Sequence, residues 1–94
     1  MRNVHLRKVD GDILVLEVNR KRTGIEITAD EMNAMVDELL SLPAYTQNSR
    51  DEIIAHMVVK SLERSLPNHS DVLPLSQEET RKAVRLIVQQ CRRR

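Results

Sequence analysis

Three segments of this chain carry the pattern Ser/Thr-x-x-Glu directly ahead of an aliphatic run with helical spacing. They are Thr28-Ala29-Asp30-Glu31, Ser49-Arg50-Asp51-Glu52 and Ser76-Gln77-Glu78-Glu79. In such a capping box the hydroxyl accepts from the N–H three residues on, and the glutamate reaches back to the cap's own N–H. Two donors that the helix would leave orphaned are satisfied, and the carboxylates also suit the positive end of the helix dipole. Three boxes in register with the hydrophobic pattern divide the chain into a strand region and three helices. Few folds are compatible with that division.

The first helix is expected over residues 29–42, burying Met32, Met35, Val36, Leu39 and Leu40 and stopping at Pro43. The second is expected over 50–66, burying Ile53, Ile54, Met57, Val58, Leu62 and Leu66 before Pro67. The third is expected over 77–90, with Ala83, Val84, Ile87, Val88 and Cys91 on one side and a fraying Arg92-Arg93-Arg94 beyond it. The segment 67–75 has two prolines and a polar centre, so it reads as a loop whose Val72, Leu73 and Leu75 can tuck inward.

Residues 4–18 read as a β-hairpin around Asp10-Gly11. A two-residue type I′ turn would set Leu6 opposite Val15. A three-residue loop, Val9-Asp10-Gly11, would instead gather Val4, Leu6, Leu14, Leu16 and Val18 on one side, leaving His5, Arg7, Ile13, Val15 and Glu17 on the other. The second register is preferred, because a sheet in a small domain normally buries one face. A polar connection over 19–23 then leads to a short third strand over 24–28, with Ile25 and Ile27 on one side. The expected fold is α+β: one domain of 94 residues in which a small antiparallel sheet packs on three helices, in the order β-β-β-α-α-α.

With no Phe, no Trp and Tyr45 as the single Tyr, the core must be aliphatic. The lone Cys91 has no partner for an internal disulfide, which suits a reducing cytoplasm. Residues 1–16 carry Arg2, Arg7, Lys8, Asp10 and Asp12, so no signal-peptide pattern is seen, and no apolar run approaches the roughly 20 residues of a membrane span. Charge is segregated: nine acidic and three basic residues fall in 25–71, six basic and two acidic in 72–94.

Little of this points to site chemistry. His5, His56, His69 and Cys91 lack metal-ligand spacing, no serine sits in a nucleophile elbow, and two glycines cannot build a phosphate loop. The acid pairs Asp30-Glu31, Asp51-Glu52 and Glu78-Glu79 all fall in first helical turns, where capping explains them. No enzyme activity, cofactor or metal is expected. Arg20-Lys21-Arg22 is the densest internal cation cluster and the candidate site for nucleic acid, although without aromatic stacking such binding would be electrostatic.

The stretches Val4-His5-Leu6-Arg7-Lys8-Val9, Ile13-Leu14-Val15-Leu16 and Lys21-Arg22-Thr23-Gly24-Ile25-Glu26-Ile27-Thr28 resemble the single-stranded-DNA-binding transcriptional coactivators. That family places a basic strand pair ahead of a basic-Gly-Ile entry into a helix. The resemblance implies dimerisation and binding of single-stranded DNA; it covers about the first forty residues, with Met32 where the family has an aromatic.

The leading expectation is a small accessory protein of bacterial or phage type that acts by contact with another protein. Nucleic-acid binding through the hairpin and Arg20, Lys21 and Arg22 is the alternative. A homodimer is expected through the face bearing His5, Arg7, Ile13, Val15 and Glu17, or through open strand edges.

Overall fold

The computed structural model describes residues 1–92 and shows a three-stranded antiparallel sheet followed by three helices. Strands β1 (Val4–Val9), β2 (Ile13–Val18) and β3 (Lys21–Thr28) lie in that spatial order, so β2 is central and both neighbours are edges. Helices α1 (Ala29–Leu40), α2 (Arg50–Ser65) and α3 (Gln77–Cys91) follow, with single 3₁₀ turns at Pro43–Tyr45 and Leu66–Asn68. The α+β order expected from the caps is the order found.

All three capping boxes form. Thr28, Ser49 and Ser76 each accept from the N–H of Glu31, Glu52 and Glu79, and each glutamate returns a bond to the cap's backbone N–H. At Ser49 those distances are 3.2 and 2.9 Å. Replacing Ser49 with Ala should therefore lower stability by about 1 kcal/mol, read as a shift in the denaturation midpoint. An unchanged midpoint would show that the box is not what starts α2.

The helix ends and stripes depart from expectation in detail. Helix α1 stops at Leu40 rather than at 42, because Ser41 closes it with its N–H on the carbonyls of Glu38 and Leu39. Met35 is 45% exposed, and Asn33 is buried in the first helix instead. Asn33 Oδ1 accepts from Arg50 Nη2 at 2.7 Å, which satisfies the amide where α1 meets α2. Leu66 is also exposed, because the chain turns into 3₁₀ geometry there rather than extending α2. Arg92 forms the extended cap of α3; Arg93 and Arg94, expected to fray, lie outside the described residues.

The hairpin keeps the expected face assignment but not the expected loop. Leu6 pairs with Leu16 and Val9 with Ile13, so the loop is residues 10–12 rather than 9–11. Asp10 (φ 53°) and Gly11 (φ 93°) both take positive φ, the chemistry of the type I′ option, while the extra residue Asp12 retains the parity of the bulged option. The second connection differs more. Asn19 (φ 50°) and Arg20 (φ 68°) alone make the turn, and β3 begins at Lys21, not at Gly24.

Opposite Leu16, β3 carries Thr23, Gly24 and Ile25, since Glu17 pairs with Arg22 and Val15 with Glu26. The buried Thr23 hydroxyl donates to the Leu16 carbonyl at 3.0 Å, filling a ladder position that the bulge vacates. Gly24 (φ 97°) is required there on two grounds. Its backbone lies in the left-handed region, and a Cβ would sit 2.5 Å from Ser65 Oγ at the end of α2.

The core lies between the helices and the inner face of the sheet. Val4, Leu16, Val18 and Ile25 pack with Val36 of α1, Ile53 and Val58 of α2, and Ala83 and Ile87 of α3. Val72 and Leu73 of the long loop are buried with them, as the sequence allows. The same loop is held by Arg2, whose guanidinium donates to the carbonyls of Val72 (2.7 Å) and Pro74 (3.3 Å) and pairs with Glu79 at 2.9 Å. Among the described residues, no helix is long and apolar enough to cross a membrane.

Candidate functional site

Two surfaces need to be weighed: the outer face of the sheet and a groove beside β3. On the outer face, parity brings together His5, Arg7, Ile13, Val15 and Glu17, as expected. Their burial differs from that expected of an open apolar patch. Val15 is fully buried and Glu17 is 5% exposed within one protomer.

The reason is a lattice of ion pairs. Arg7 stands opposite Val15 and reaches two residues along the strand to Glu17, with Nε at 3.1 Å and Nη2 at 2.9 Å from Oε2. Its stem is thereby carried past Val15, the usual way a long cationic side chain covers an apolar neighbour. His5 Nε2 takes the other oxygen of Glu17 at 2.9 Å. On the far side, Arg22 opposite Glu17 pairs with Glu26 opposite Val15 at 2.8 Å. The Arg7 guanidinium, helped by His5 and resisted by desolvation, holds the Glu17 carboxyl below the usual carboxylate range. The same contact raises Arg7. Both oxygens of Glu17 are engaged within the single chain, whereas His5 Nδ1 is buried with no hydrogen-bond partner among the described residues, and Ile13 is partly buried beside them.

The basic cluster is not a patch in the fold. Arg20 occupies the turn, whereas Lys21 and Arg22 are successive strand residues that point to opposite faces. Arg22 is engaged by Glu26, and Lys21 lies 3.9 Å from Asp71 on the long loop. All three remain exposed, but they do not lie on one loop, because the strand starts three residues earlier than the sequence pattern implies.

The groove was not expected. It measures about 540 Å³ and lies between the free edge of β3 and the two helices α1 and α2. Met32, Met35 and Leu39 of α1 and Met57 of α2 form its floor, with Ile25 and Ile27 at the sheet side. Tyr45 and His56 close one end, their rings 6.4 Å apart and tilted. Lys60 and Arg64 stand on the α2 wall, near Gly24, and Glu38 on the α1 wall. One signal for it was present in the sequence: Met35 belonged to a five-residue stripe, more than a short helix over a three-stranded sheet needs to bury. The placement of that surplus beside a strand edge was not readable.

Other features have ordinary structural explanations. Glu79 is buried because it pairs with Arg2 and closes the α3 cap. Cys91 is buried, and desolvation pushes its thiol upward, away from the reactive thiolate. Among the described residues, no three of His, Cys, Asp and Glu come together in a way that could hold a metal ion.

No family model, no curated protein and no solved structure matches this chain. The resemblance of its first forty residues to the single-stranded-DNA-binding coactivators finds no support in those comparisons.

Proposed function

We propose that this chain is a non-enzymatic interaction protein that works by receiving part of another protein in the groove beside β3. The observation that supports the reading is the coincidence of an unpaired strand edge with the exposed Met35 and the partly covered Leu39 and Met57. Edges of sheets and exposed apolar floors are both surfaces that folded chains normally cover. Here they adjoin. The non-enzymatic part is supported by the state of the buried carboxylates. Glu17 and Glu79 are each held low by an arginine, so near neutral pH they are ionised, with no proton to donate, and are weak bases.

A photo-crosslinker placed at position 35 of an otherwise unaltered chain tests the reading in extract of the native host. The expected result is a discrete cross-linked species that disappears when Met57 is replaced by Lys, while a probe at Arg85 on α3 yields none. Identical products from both positions, or none from the groove, would overturn it.

A homodimer is the second reading, supported by the two edges β1 and β3. The sheet-face route is left with Ile13 as its accessible apolar side chain, because Val15 is fully buried. Sedimentation at high micromolar concentration should give a dimer whose strand edges are protected from hydrogen exchange. A monomer at that concentration removes this reading and leaves the groove to a different protein.

A further inference from the structure

The proposal concerns what occupies the groove, and it rests on the interaction reading just given. Residues of α1 and α2 line one groove with the edge strand β3. Met35 is 45% exposed, and Leu39 and Met57 are only partly covered, in the groove that β3 borders. Neighbouring strands run about 4.8 Å apart and point alternate side chains to one face. The vacant place beside β3 has the outline of a missing fourth strand.

The chemistry of the walls narrows the occupant. Met35 and Met57 line the groove with accessible thioethers, which adapt to apolar side chains of differing shape. On α2, Lys60 has Glu63 at 3.6 Å, whereas Arg64 has no ion pair among the described residues. Both cations lie on α2, while Glu38 and Glu26 line the groove from α1 and β3, so a negative charge is favoured on the α2 side. An amphipathic helix is a poorer match: it satisfies its own main chain and would leave the N–H and C=O groups of the β3 edge without partners.

A second copy of β3 is also disfavoured. Two-fold pairing centred on Glu26 would set Glu26 opposite Glu26, and like charges directly opposite destabilise a sheet.

We propose that the groove binds an extended segment of another protein, which pairs with β3 as a fourth strand. Alternate apolar side chains rest on the methionine floor, and an acidic residue meets Arg64 and Lys60. An array of ten-residue peptides tests this with the full chain as probe. One set alternates apolar and polar residues and carries an Asp near one end. A second set carries Lys in its place, and a third has the same composition rearranged to helical spacing.

The Asp-bearing alternating peptides should bind about ten-fold or more tightly than the Lys set. Arg64→Glu should reverse that order. N-methylation of alternate peptide amides on the β3 side should abolish binding. Equal binding of the Asp and Lys sets, or preference for the helical set, would overturn the proposed occupant. The groove reading would survive that result if Met57→Lys still removed the binding. Absence of binding by any set, binding indifferent to Met57→Lys, or a dimer with β3 edges protected from exchange would also overturn it.

Discussion

Replacing Ile87 with Ala should lower the stability of this protein by about 3–4 kcal/mol. Ile87 is fully buried on α3, in the cluster that joins that helix to the sheet and to the other two helices. The loss combines the transfer free energy of the deleted methylenes with the cost of the cavity left behind. That cavity has little chance to refill. The buried cluster around it is Val, Ile, Leu, Ala and Cys with the single methionine Met32, and the chain has no Phe or Trp.

Chains of this size are stable by only about 5–15 kcal/mol, so the variant should melt on the order of 15 °C lower. Urea denaturation should show a reduced midpoint with an unchanged slope, since the surface exposed on unfolding is nearly the same. Val59→Ala, at an exposed position of α2, is the control and should change stability by less than about 0.5 kcal/mol. A loss below about 1 kcal/mol for Ile87→Ala would mean that α3 is not seated as described.

The second large effect is expected at Glu79. Its carboxylate accepts from Arg2 Nε and Nη2, both at 2.9 Å, from the Arg2 backbone N–H at 3.2 Å, and from the Ser76 N–H at 2.8 Å. The Arg2 guanidinium is the largest cause, the Ser76 backbone the next, and together they outweigh desolvation and hold the carboxyl at about 2. A group whose folded pKa is depressed adds stability above its unfolded value, and that addition is lost as pH falls through the folded value. The window here runs from just above pH 4.5 down to about 2.

By linkage, this contribution is of order 2–3 kcal/mol at neutral pH. Glu79→Gln should flatten the difference between the acid limb and neutral pH by that amount. Glu79→Ala should cost about 3 kcal/mol at pH 7, because it strands the Arg2 guanidinium over the 66–76 loop and opens the α3 cap. Glu17 and Glu52 are also held low, so the variant should keep part of its acid sensitivity. An acid limb identical to that of the unaltered protein would show that Arg2 does not hold Glu79 in solution.

What the sequence by itself determined about this protein is what its residues settle within about one helical turn of themselves. Thr28, Ser49 and Ser76 start helices because donor and acceptor lie three positions apart, and no distant residue is needed to close the box. Asp10-Gly11 makes a turn because both residues tolerate positive φ. The α+β order and the inward face of the hairpin follow from these local signals and the spacing of Val, Ile and Leu.

Tertiary structure decided everything that joins residues distant along the chain. Glu79 reads as a helix cap until Arg2, 77 residues away, is brought against it. Val15 reads as an exposed apolar residue until Arg7 and Glu26 flank it on both neighbouring strands. Arg20, Lys21 and Arg22 read as one basic loop, but pairing of Lys21 with Val18 starts the strand early and separates them. The groove belongs to the same class. It is lined by residues of the edge strand β3 and of the two helices α1 and α2, a juxtaposition that no local run of residues encodes.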